Sequence, residues 1–317
     1  MYGCTKHDPT NPFIMKIHIR FWLLMTGLTM ASHWSTSAQD RLRLMDLPNK
    51  WNSFLQGSMP LVISAPHGGT NNLESVPDRS CEGAVTVTDM NTAELALAIA
   101  EQMEAAYGVK PYLVVCNLSR KDVDQNREIE VATCGNEKMQ QSWGEFHGLI
   151  DGALKEAVER HGFCLYIDLH GHGHEVQRLE LGYLLEEKVL ERLYQGSSLS
   201  ASEPFSLQRL LRDSVDLHRL VYGPRSFGTM MAEAGFPSVP SQGDPFPMAG
   251  QKFYGGGYNT RRYTGPDYPG VFGWQIESHF KGVRDKSGRP LFAEAFGRVV
   301  LQMLKEHRGW APASPMQ

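Results

Sequence analysis

Three alternating histidines follow a strand-like run near the middle of this 317-residue chain. Residues 164–174 read CLYIDLHGHGH, a short apolar run typical of a buried strand and then His170, His172 and His174 among glycines. Imidazole is the commonest protein ligand for zinc, and Asp168 can orient a neighbouring histidine by accepting its second ring N–H. The pattern indicates a metal site at a strand end, although a surface histidine cluster without a metal has the same sequence.

A further histidine follows another strand-like run. His67 comes directly after residues 61–66, which read LVISAP, and two glycines follow it. Because a catalytic zinc takes three protein ligands, we expect a carboxylate beside the two strand-end histidines. Asp89 is one candidate, but it lies where a helix is expected to begin and could simply cap that helix. Glu74, in the loop after His67, is the other candidate, unless it is only a solvated loop charge.

Arginine and asparagine side chains follow the next predicted strand. Residues 119–128 read SRKDVDQNRE and contain Arg120, Asn126 and Arg127. Arginine can grip a carboxylate through two parallel hydrogen bonds, and asparagine can add a donor. The segment therefore indicates binding of a substrate carboxylate. The alternative is a charged loop held by its own salt bridges, which is common for such runs.

Glu277 ends the last strand-like run of the chain. A glutamate close to a metal site can take a proton from water and later hand it to a leaving nitrogen. Without a metal nearby, Glu277 would be an ordinary acid at a strand end. The glycine-rich run at 255–257 has neither the Walker nor the dinucleotide-binding spacing, so it is weak evidence by itself.

The elements that must position these residues alternate between strands and helices. Such alternation predicts an α/β fold with a mostly parallel sheet covered on both faces. Residues 186–220 are expected to form an insertion or a lid, and residues 235–257 a long loop. Strands are predicted at 61–65, 112–116, 164–170, 181–185 and 270–277, and helices at 92–103, 143–161 and 290–307.

The N-terminus is typical of a signal peptide. A basic start at residues 15–20 precedes a short apolar core at 21–31, and the small residue Ala38 offers a cleavage position. We expect export into the periplasm or the medium, with translation starting at Met15. The apolar core is too short to span a membrane, and the alternative is an amphipathic first helix. Residues 1–38 are then an extension and signal peptide, and residues 39–317 are a single domain.

The cysteine positions predict one disulfide, and the net charge argues against a nucleic-acid-binding protein. Export permits disulfides, and we predict a pair between Cys81 and Cys134 because both lie in polar loops. Cys116 and Cys164 lie in apolar runs and are expected to be buried. The net charge of −4 gives no basic surface for nucleic acid.

Six motifs of the chain resemble those of the N-formylglutamate amidohydrolases, which belong with the zinc carboxypeptidase-like hydrolases. They follow the family's order and fall between residues 61 and 279. The motifs are PHGG at 66–69, Asp89 with TAELA at 92–96, SR at 119–120 with NR at 126–127, DLH at 168–170, GGYNTR at 256–261 and QIE at 275–277.

This resemblance implies a three-layer α/β/α sandwich around a mixed, mostly parallel sheet, as in the zinc carboxypeptidases. It also implies one Zn²⁺ ion and a small amide substrate that carries a carboxylate. The roles implied are metal ligands for His67, Asp89 and His170, general base for Glu277, oxyanion or carboxylate contact for Arg127, and substrate binding for Asn126, Arg120 and Arg261.

The function expected from these residues is zinc-dependent hydrolysis of the amide bond of an N-acyl amino acid or a similar substrate. His172 and His174 would lie around the metal site or at its rim. Members of the family act inside the cell on a small intermediate of histidine breakdown, so an export signal leaves the substrate open more than the reaction type. The alternatives are an exported zinc carboxypeptidase or peptidoglycan-fragment amidase, and a relative that binds a metal or ligand without catalysis. Glu277 favours an enzyme, because a relative without catalysis would be expected to have lost its base.

Overall fold

A mixed β-sheet of eight strands forms the centre of the protein. The structure, a computed structural model, describes residues 42, 44–200, 202–211 and 217–313. The sheet order is β1-β2-β4-β3-β5-β8-β6-β7, in which β4, β3, β5 and β8 run parallel while β2 and β6 run antiparallel to their central neighbours. The strands are β1 (Met45–Asp46), β2 (Asn52–Leu55), β3 (Leu61–Ala65), β4 (Tyr112–Cys116), β5 (Cys164–Gly171), β6 (Leu179–Gly182), β7 (Ser238–Val239) and β8 (Val271–Ser278).

Helices cover both faces of this sheet. Ile63 and Trp274 point to the face that is packed by α1 and α8, whereas Val62 and Tyr166 point to the face that is packed by α3. The α/β/α arrangement expected from the sequence is therefore confirmed. The helices are α1 (Thr92–Tyr107), α2 (Ile129–Thr133), α3 (Glu137–His161), α4 (Glu187–Tyr194), α5 (Leu217–Tyr222), α6 (Phe227–Glu233), α7 (Tyr258–Tyr263) and α8 (Gly288–Arg308).

The central strands are buried on both faces, which explains their continuous apolar sequences. Every residue of β3, β4 and β8 is buried, as is every residue of β5 except its last. Parallel strands covered by helices on both sides require such runs. The charged exceptions are Asp168 and His170 on β5 and Glu277 on β8, all on the α3 face and near the carboxyl ends of their strands. Ionisable side chains are rarely buried together without a function, so this end of the sheet is the candidate functional site.

The chain reverses its direction of travel across the sheet between β3 and β5. From β3 it passes through α1 to β4 on one side, and from β4 it returns through α3 to β5 on the other side of β3. Because α1 and α3 lie on opposite faces, the two connections diverge where they leave the carboxyl ends of the neighbouring strands β3 and β4. Open α/β sheets bind ligands in the crevice formed at such a point.

Most predicted elements agree with the structure, but several boundaries were wrong, and α1 continues to Tyr107 instead of ending at residue 103. Helix α3 begins at Glu137 instead of residue 143, because the side chain of Asn136 caps it by accepting a hydrogen bond from the Met139 N–H (3.2 Å). The strand predicted at 181–185 is β6 at Leu179–Gly182, where Glu180 pairs with Glu277. The short strands β1, β2 and β7 were not predicted.

The described residues of the segment 186–220 pack into the main core. Leu190 of α4, Leu210 of a short 3₁₀ turn and Leu220 of α5 are buried in the same apolar cluster as the α1 and α8 face of the sheet. The segment is thus anchored on its apolar side, and its action as a lid stays a prediction. The described part of the chain belongs to one compact unit, residues 41–317.

The cysteines are arranged as the sequence predicted. Cys81 and Cys134 form a disulfide, while Cys116 and Cys164 are buried free thiols. Among the residues described, no helix combines the length and apolarity needed to cross a membrane. The signal peptide expected within residues 1–38 lies outside the described residues.

Candidate metal centre and active site

His67 and His170 meet at the carboxyl ends of β3 and β5. His67 follows β3 after one proline, and His170 is the second-last residue of β5, which is the parallel neighbour of β3. Both side chains are buried, and their ring centroids are 4.8 Å apart. The carboxyl ends of two parallel neighbours therefore bring together two imidazoles from segments about a hundred residues apart in sequence, beside this crevice.

Asp89 joins the two histidines because its loop is tied to the loop that carries His67. The Asp89 N–H donates to the carbonyl of His67 (3.0 Å). A Cβ on Gly68 would lie only 2.7 Å from the backbone nitrogen of Ala93, so glycine is required where the His67 loop packs against the first turn of α1. The N-cap of α1 is Asn91, not Asp89. The capping role considered for Asp89 is thus wrong, and its carboxylate is available to the histidines.

The three side chains have the spacing of ligands around a single ion. Oδ2 of Asp89 lies 3.4 Å from Nδ1 of His67 and 3.1 Å from Nδ1 of His170. In a tetrahedral zinc site with bonds of about 2.0–2.1 Å, neighbouring ligand atoms are about 3.3–3.4 Å apart. Nδ1 of His67 is buried and has no hydrogen-bond partner in the described part of the chain. Two imidazoles and one carboxylate form a donor set that zinc accepts, so these residues fit a metal ion.

Glu74, the other acidic candidate, does not take part in this group. It lies exposed in the loop after β3. The group that could hold a metal contains Asp89 instead. The structure therefore places Asp89, and not Glu74, beside the two histidines, and the role of Asp89 as a metal ligand stays a prediction.

A buried carboxylate supports each histidine from the opposite side of its ring. Nε2 of His67 lies 2.6 Å from Oδ1 of Asp124, and Nε2 of His170 lies 2.9 Å from Oδ2 of Asp168. An ionised carboxylate only accepts hydrogen bonds, so Nε2 of each histidine carries a proton, and with an ion bound each Nδ1 would present its lone pair to the metal beside Asp89. Zinc-binding histidines are commonly oriented by such pairs. The sequence suggested this role for Asp168 but gave none to Asp124.

Arg120 contacts Asp124, the carboxylate that supports His67. Its Nε and Nη2 contact Oδ2 of Asp124 at 3.0 and 2.9 Å, and the carboxylate also accepts a hydrogen bond from the Asn126 N–H (2.9 Å). Burial would raise the pKa of Asp124, but the charges of His67 and Arg120 hold it well below its ordinary value. Arg120 thus supports the pocket through Asp124. Its assignment to substrate binding stays a prediction.

The carboxyl group of Glu277 lies next to His170 across the sheet. Glu277 of β8 is the register partner of His170, so both side chains point to the same face from strands about 4.8 Å apart. Oε1 accepts a hydrogen bond from Nε2 of Gln275 (2.9 Å), whereas the buried Oε2 has no partner in the described part of the chain. Burial, with the charges of Asp89 and Glu180, raises the pKa of Glu277 to about 8. One oxygen is thus held in place and the other is available for chemistry.

Asn126 and Arg127 border the same site. The amide nitrogen of Asn126 lies 3.2 Å from Nε2 of His170, and its Oδ1 accepts a hydrogen bond from the Asn259 N–H (2.8 Å). A Cβ on Gly257 would lie 2.6 Å from that amide nitrogen, so the glycine-rich run packs directly on Asn126. Arg127 is half-buried and donates from Nη1 to the carbonyl of Asn126 (2.9 Å).

The arginines of α7 point in different directions. Arg261, the residue singled out from the sequence, is exposed. Arg262 instead lies over the ring of Trp143 (5.6 Å) and donates to the hydroxyl of Tyr258 (3.1 Å). A substrate-binding role for Arg261 stays a prediction.

The remaining histidines of the alternating run form a separate group with Glu180. Nδ1 of His174 lies 2.8 Å from Oε1 of Glu180, and His172 donates from Nε2 to the carbonyl of Arg178 (2.8 Å). Nδ1 of His172 accepts the N–H of His174 (3.1 Å), and Oε2 of Glu180 accepts the N–H of Tyr254 (2.9 Å). The spacing of this group would suit a metal, but hydrogen bonds within the protein already satisfy these atoms. We interpret it as a polar network at the site's rim.

The chain shares its fold with solved structures of low sequence identity. It is similar to an N-formylglutamate amidohydrolase from Ralstonia eutropha JMP134, with a TM-score of 0.50 and 13% identity over 81% of this chain and 98% of that one. It is also similar to a gene product of Agrobacterium tumefaciens, with a TM-score of 0.48 and 12% identity over 80% of this chain and 95% of that one. No family model and no curated protein matches the sequence. The similarity to the first of these structures confirms the fold implied by the sequence resemblance.

Proposed function

We propose that this protein is a zinc-dependent amidohydrolase that cleaves the amide bond of an N-acyl amino acid or a similar small substrate with a carboxylate. The observation that carries the proposal is the convergence of His67, Asp89 and His170, with the unpartnered oxygen of Glu277 on the neighbouring strand. The shared fold with an N-formylglutamate amidohydrolase supports the same reaction class.

His67, Asp89 and His170 would hold the ion, leaving a coordination position open. A bound Zn²⁺ would polarise the amide carbonyl and lower the pKa of a water molecule. Glu277 would take the proton of the attacking water at Oε2 and return it to the leaving nitrogen, so that an amine and a carboxylic acid are released. The hydrogen bond from Gln275 holds the carboxyl group in place during both transfers.

Asn126 and Arg127 would bind the negatively charged part of the substrate. Arg127 would steady the developing oxyanion or the substrate carboxylate, and the Asn126 amide would add a donor beside His170. Arg127 donates to the carbonyl of Asn126, and the N–H of Asn126 donates to Asp124, which supports the proposed binding of substrate next to the histidines. Further binding contacts are proposed for Arg120 and Arg261.

Export through the N-terminal signal peptide is part of the proposal. The Cys81–Cys134 disulfide supports an oxidising compartment, because disulfides are rare in the reducing cytosol. An exported enzyme would meet acylated amino acids or peptides outside the cell. A fusion of residues 1–38 to a periplasmic reporter would test this, and retention of the reporter in the cytosol would contradict it.

An amine-release assay tests the reaction. Zinc-loaded protein should release amine from N-formyl- or N-acetylglutamate, and a chelator should abolish this release. Glu277→Gln should lower kcat by about 10²–10⁴-fold while the zinc content stays unchanged. Glu74→Gln is the matched control, because this exposed glutamate lies outside the group, and its kcat should equal that of the wild type.

The other outcomes of this assay are also informative. Faster cleavage of peptides with a free C-terminus than of acyl amino acids would indicate a carboxypeptidase. Zinc binding with no turnover of any substrate would indicate a binding protein. Activity that survives complete removal of metal would contradict the proposal.

A further inference from the structure

Exposed apolar side chains concentrate around the candidate active site. Nine large apolar residues are exposed in the described part of the chain, and five of them lie on three segments that border the site. Contiguous exposed apolar surface on a folded protein commonly marks a place where a ligand or partner binds. We name these five residues the apolar rim: Val85, Val87, Met90, Tyr254 and Phe280.

Two of these residues flank a proposed metal ligand. Val87 and Met90 lie on either side of Asp89 in the loop before α1, with 71% and 58% of their surfaces exposed. Arg120 donates from Nη1 to the carbonyl of Val87 (3.4 Å), which ties the loop to the arginine that also contacts Asp124. The loop that carries Asp89 therefore also carries two apolar side chains that are open to solvent.

Phe280 and Met90 are brought together by one buried arginine. Arg284 donates from Nη1 to the carbonyl of Met90 (2.5 Å), and its guanidinium lies over the Phe280 ring at 5.6 Å. The same side chain donates from Nη2 to the carbonyl of His172 (3.0 Å). Because Arg284 has only 4% of its surface exposed, it fixes both apolar residues beside the histidine segment.

Tyr254 extends the rim on the side of β6. Its backbone N–H donates to Oε2 of Glu180, and its ring lies 4.8 Å from the ring of His174. Glu180 in turn is the register partner of Glu277. The half-exposed Tyr254 ring therefore lies next to the strand that carries the proposed base.

The polar and apolar borders of the site lie on different sides of the sheet. Asn126 and Arg127 belong to the loop before α2 and α3, whereas Met90 and Phe280 lead into α1 and α8 on the opposite face. A substrate that lies across the group of proposed metal ligands would meet cationic and amide groups at one end and apolar side chains at the other.

We propose that the apolar rim binds the acyl part of the substrate, and that the preferred substrates are N-acyl amino acids with an extended apolar acyl chain. This inference rests on the proposed function. The amino acid carboxylate would face Asn126 and Arg127, and the acyl chain would cover Met90, Val87 and Phe280. Covering these side chains removes apolar surface of both partners from water, which favours longer chains.

A series of N-acylglutamates with formyl, acetyl, butyryl, hexanoyl and octanoyl groups tests the inference. Complete burial of a methylene would raise kcat/KM about fourfold, so a half-open rim should give about twofold per methylene and about 60-fold from acetyl to octanoyl. Met90→Ser should lower the octanoyl-to-acetyl ratio of kcat/KM at least fivefold. The ratio is the readout because changes in shared catalytic groups cancel in it.

Met45→Ser is the matched control. Met45 has 57% of its surface exposed, against 58% for Met90, but lies on the edge strand β1. This variant should keep the wild-type ratio. Amine release that is equal for acetyl and octanoyl substrates, or a ratio unchanged in Met90→Ser, would overturn the inference and leave the proposed function intact.

Calorimetric binding to Glu277→Gln separates the two proposals. N-octanoylglutamate should bind at least tenfold more tightly than N-acetylglutamate. If the wild type releases no amine but this difference in binding holds, the proposed function fails and the apolar subsite stands. If the two ligands bind equally, the apolar rim does not bind the acyl chain and the inference is wrong. It is also wrong if the wild type is a dimer in solution and Met90→Ser makes it a monomer, because the rim would then bind a second copy of the chain.

Discussion

Replacing Asp124 with asparagine would disturb the metal centre without touching a proposed ligand. Oδ1 of Asp124 lies 2.6 Å from Nε2 of His67, and Oδ2 accepts hydrogen bonds from Arg120. An amide has one accepting oxygen and one donating nitrogen. If the oxygen faces His67, the amide nitrogen faces the guanidinium. If the amide oxygen faces Arg120 instead, the amide nitrogen donates to Nε2 of His67. The proton of His67 must then move to Nδ1, the atom proposed to bind zinc.

Either arrangement weakens the site by an amount that can be measured. Loss of a hydrogen-bond partner that orients a zinc ligand typically lowers metal affinity about 10–100-fold. This corresponds to about 1.4–2.7 kcal/mol of binding free energy. Because Asp124 is fully buried, solvent cannot replace the lost contact. We therefore expect Asp124→Asn to raise the Kd for zinc at least tenfold.

Competition with a chromophoric chelator at pH 7 would give the zinc Kd of each variant, after circular dichroism has shown that it is folded. Asp122→Asn is the matched control, since Asp122 is equally buried in the same loop but accepts a hydrogen bond from the Leu73 N–H (2.8 Å). Its Kd should equal that of the wild type. A Kd for Asp124→Asn within twofold of the wild type would refute the role given to this carboxylate.

Three further predictions concern pH, the disulfide and the glycine-rich run. Burial lowers the pKa of His147 to about 3, so the unfolded chain takes up a proton below pH 6.5 that the folded protein does not, and the free energy of unfolding falls there by about 1.4 kcal/mol per pH unit. Urea unfolding at pH 6.5 and 4.5 should therefore show that His147→Gln loses about 2–3 kcal/mol less than the wild type between these pH values. Equal losses in the two proteins would contradict this. Replacing both Cys81 and Cys134 with serine removes a link across 53 residues and should lower the unfolding free energy by about 4 kcal/mol, whereas a change below about 1 kcal/mol would show that the link stabilises little. A Cβ at Gly257 would lie 2.6 Å from a side-chain amide nitrogen of the loop after β4, so Gly257→Ala should lower kcat/KM at least tenfold. Gly243→Ala is the control, because a Cβ there meets nothing within 4 Å, and it should keep the wild-type kcat/KM. Similar values of kcat/KM for the two variants would refute the close packing at Gly257.

The central part of the fold could be predicted because its local and global signals agree. The runs at residues 61–65 and 112–116 are apolar and bounded by proline or polar residues, and they form β3 and β4 without any shift. By contrast, β1 and β7 have two residues each and exist only through pairing, β1 with the nearby β2 and β7 with β6, which is distant in sequence. No periodicity can show in two residues, so such strands are found only once the fold is known.

The candidate site was partly visible in the sequence for the same reason. His67 and His170 could be identified because each lies at the carboxyl end of an apolar run, and parallel neighbouring strands bring these ends together. The choice of Asp89 over Glu74 depended on a backbone hydrogen bond between two loops, which no local pattern reveals. Asp124 lies 57 residues from His67 and was visible only as one charge among several in a polar loop. Its position just beyond the end of β4 was the one available signal.

Glu180 and Arg284 were missed because their roles depend on register and packing. Glu180 has its place because β6 pairs antiparallel with β8, which brings it beside Glu277. Arg284 is buried against Gly171, where a Cβ would lie 2.3 Å from its guanidinium carbon. Sequence spacing alone contains neither fact.

Zinc content, measured by mass spectrometry on the purified protein after zinc loading and dialysis, tests most directly whether His67, Asp89 and His170 bind one ion. We expect about one zinc per chain in the wild type and in Glu277→Gln, and almost none in Asp89→Ala or His170→Ala variants that remain folded. A wild-type protein that retains no zinc, or alanine variants that retain as much as the wild type, would contradict the metal centre described above.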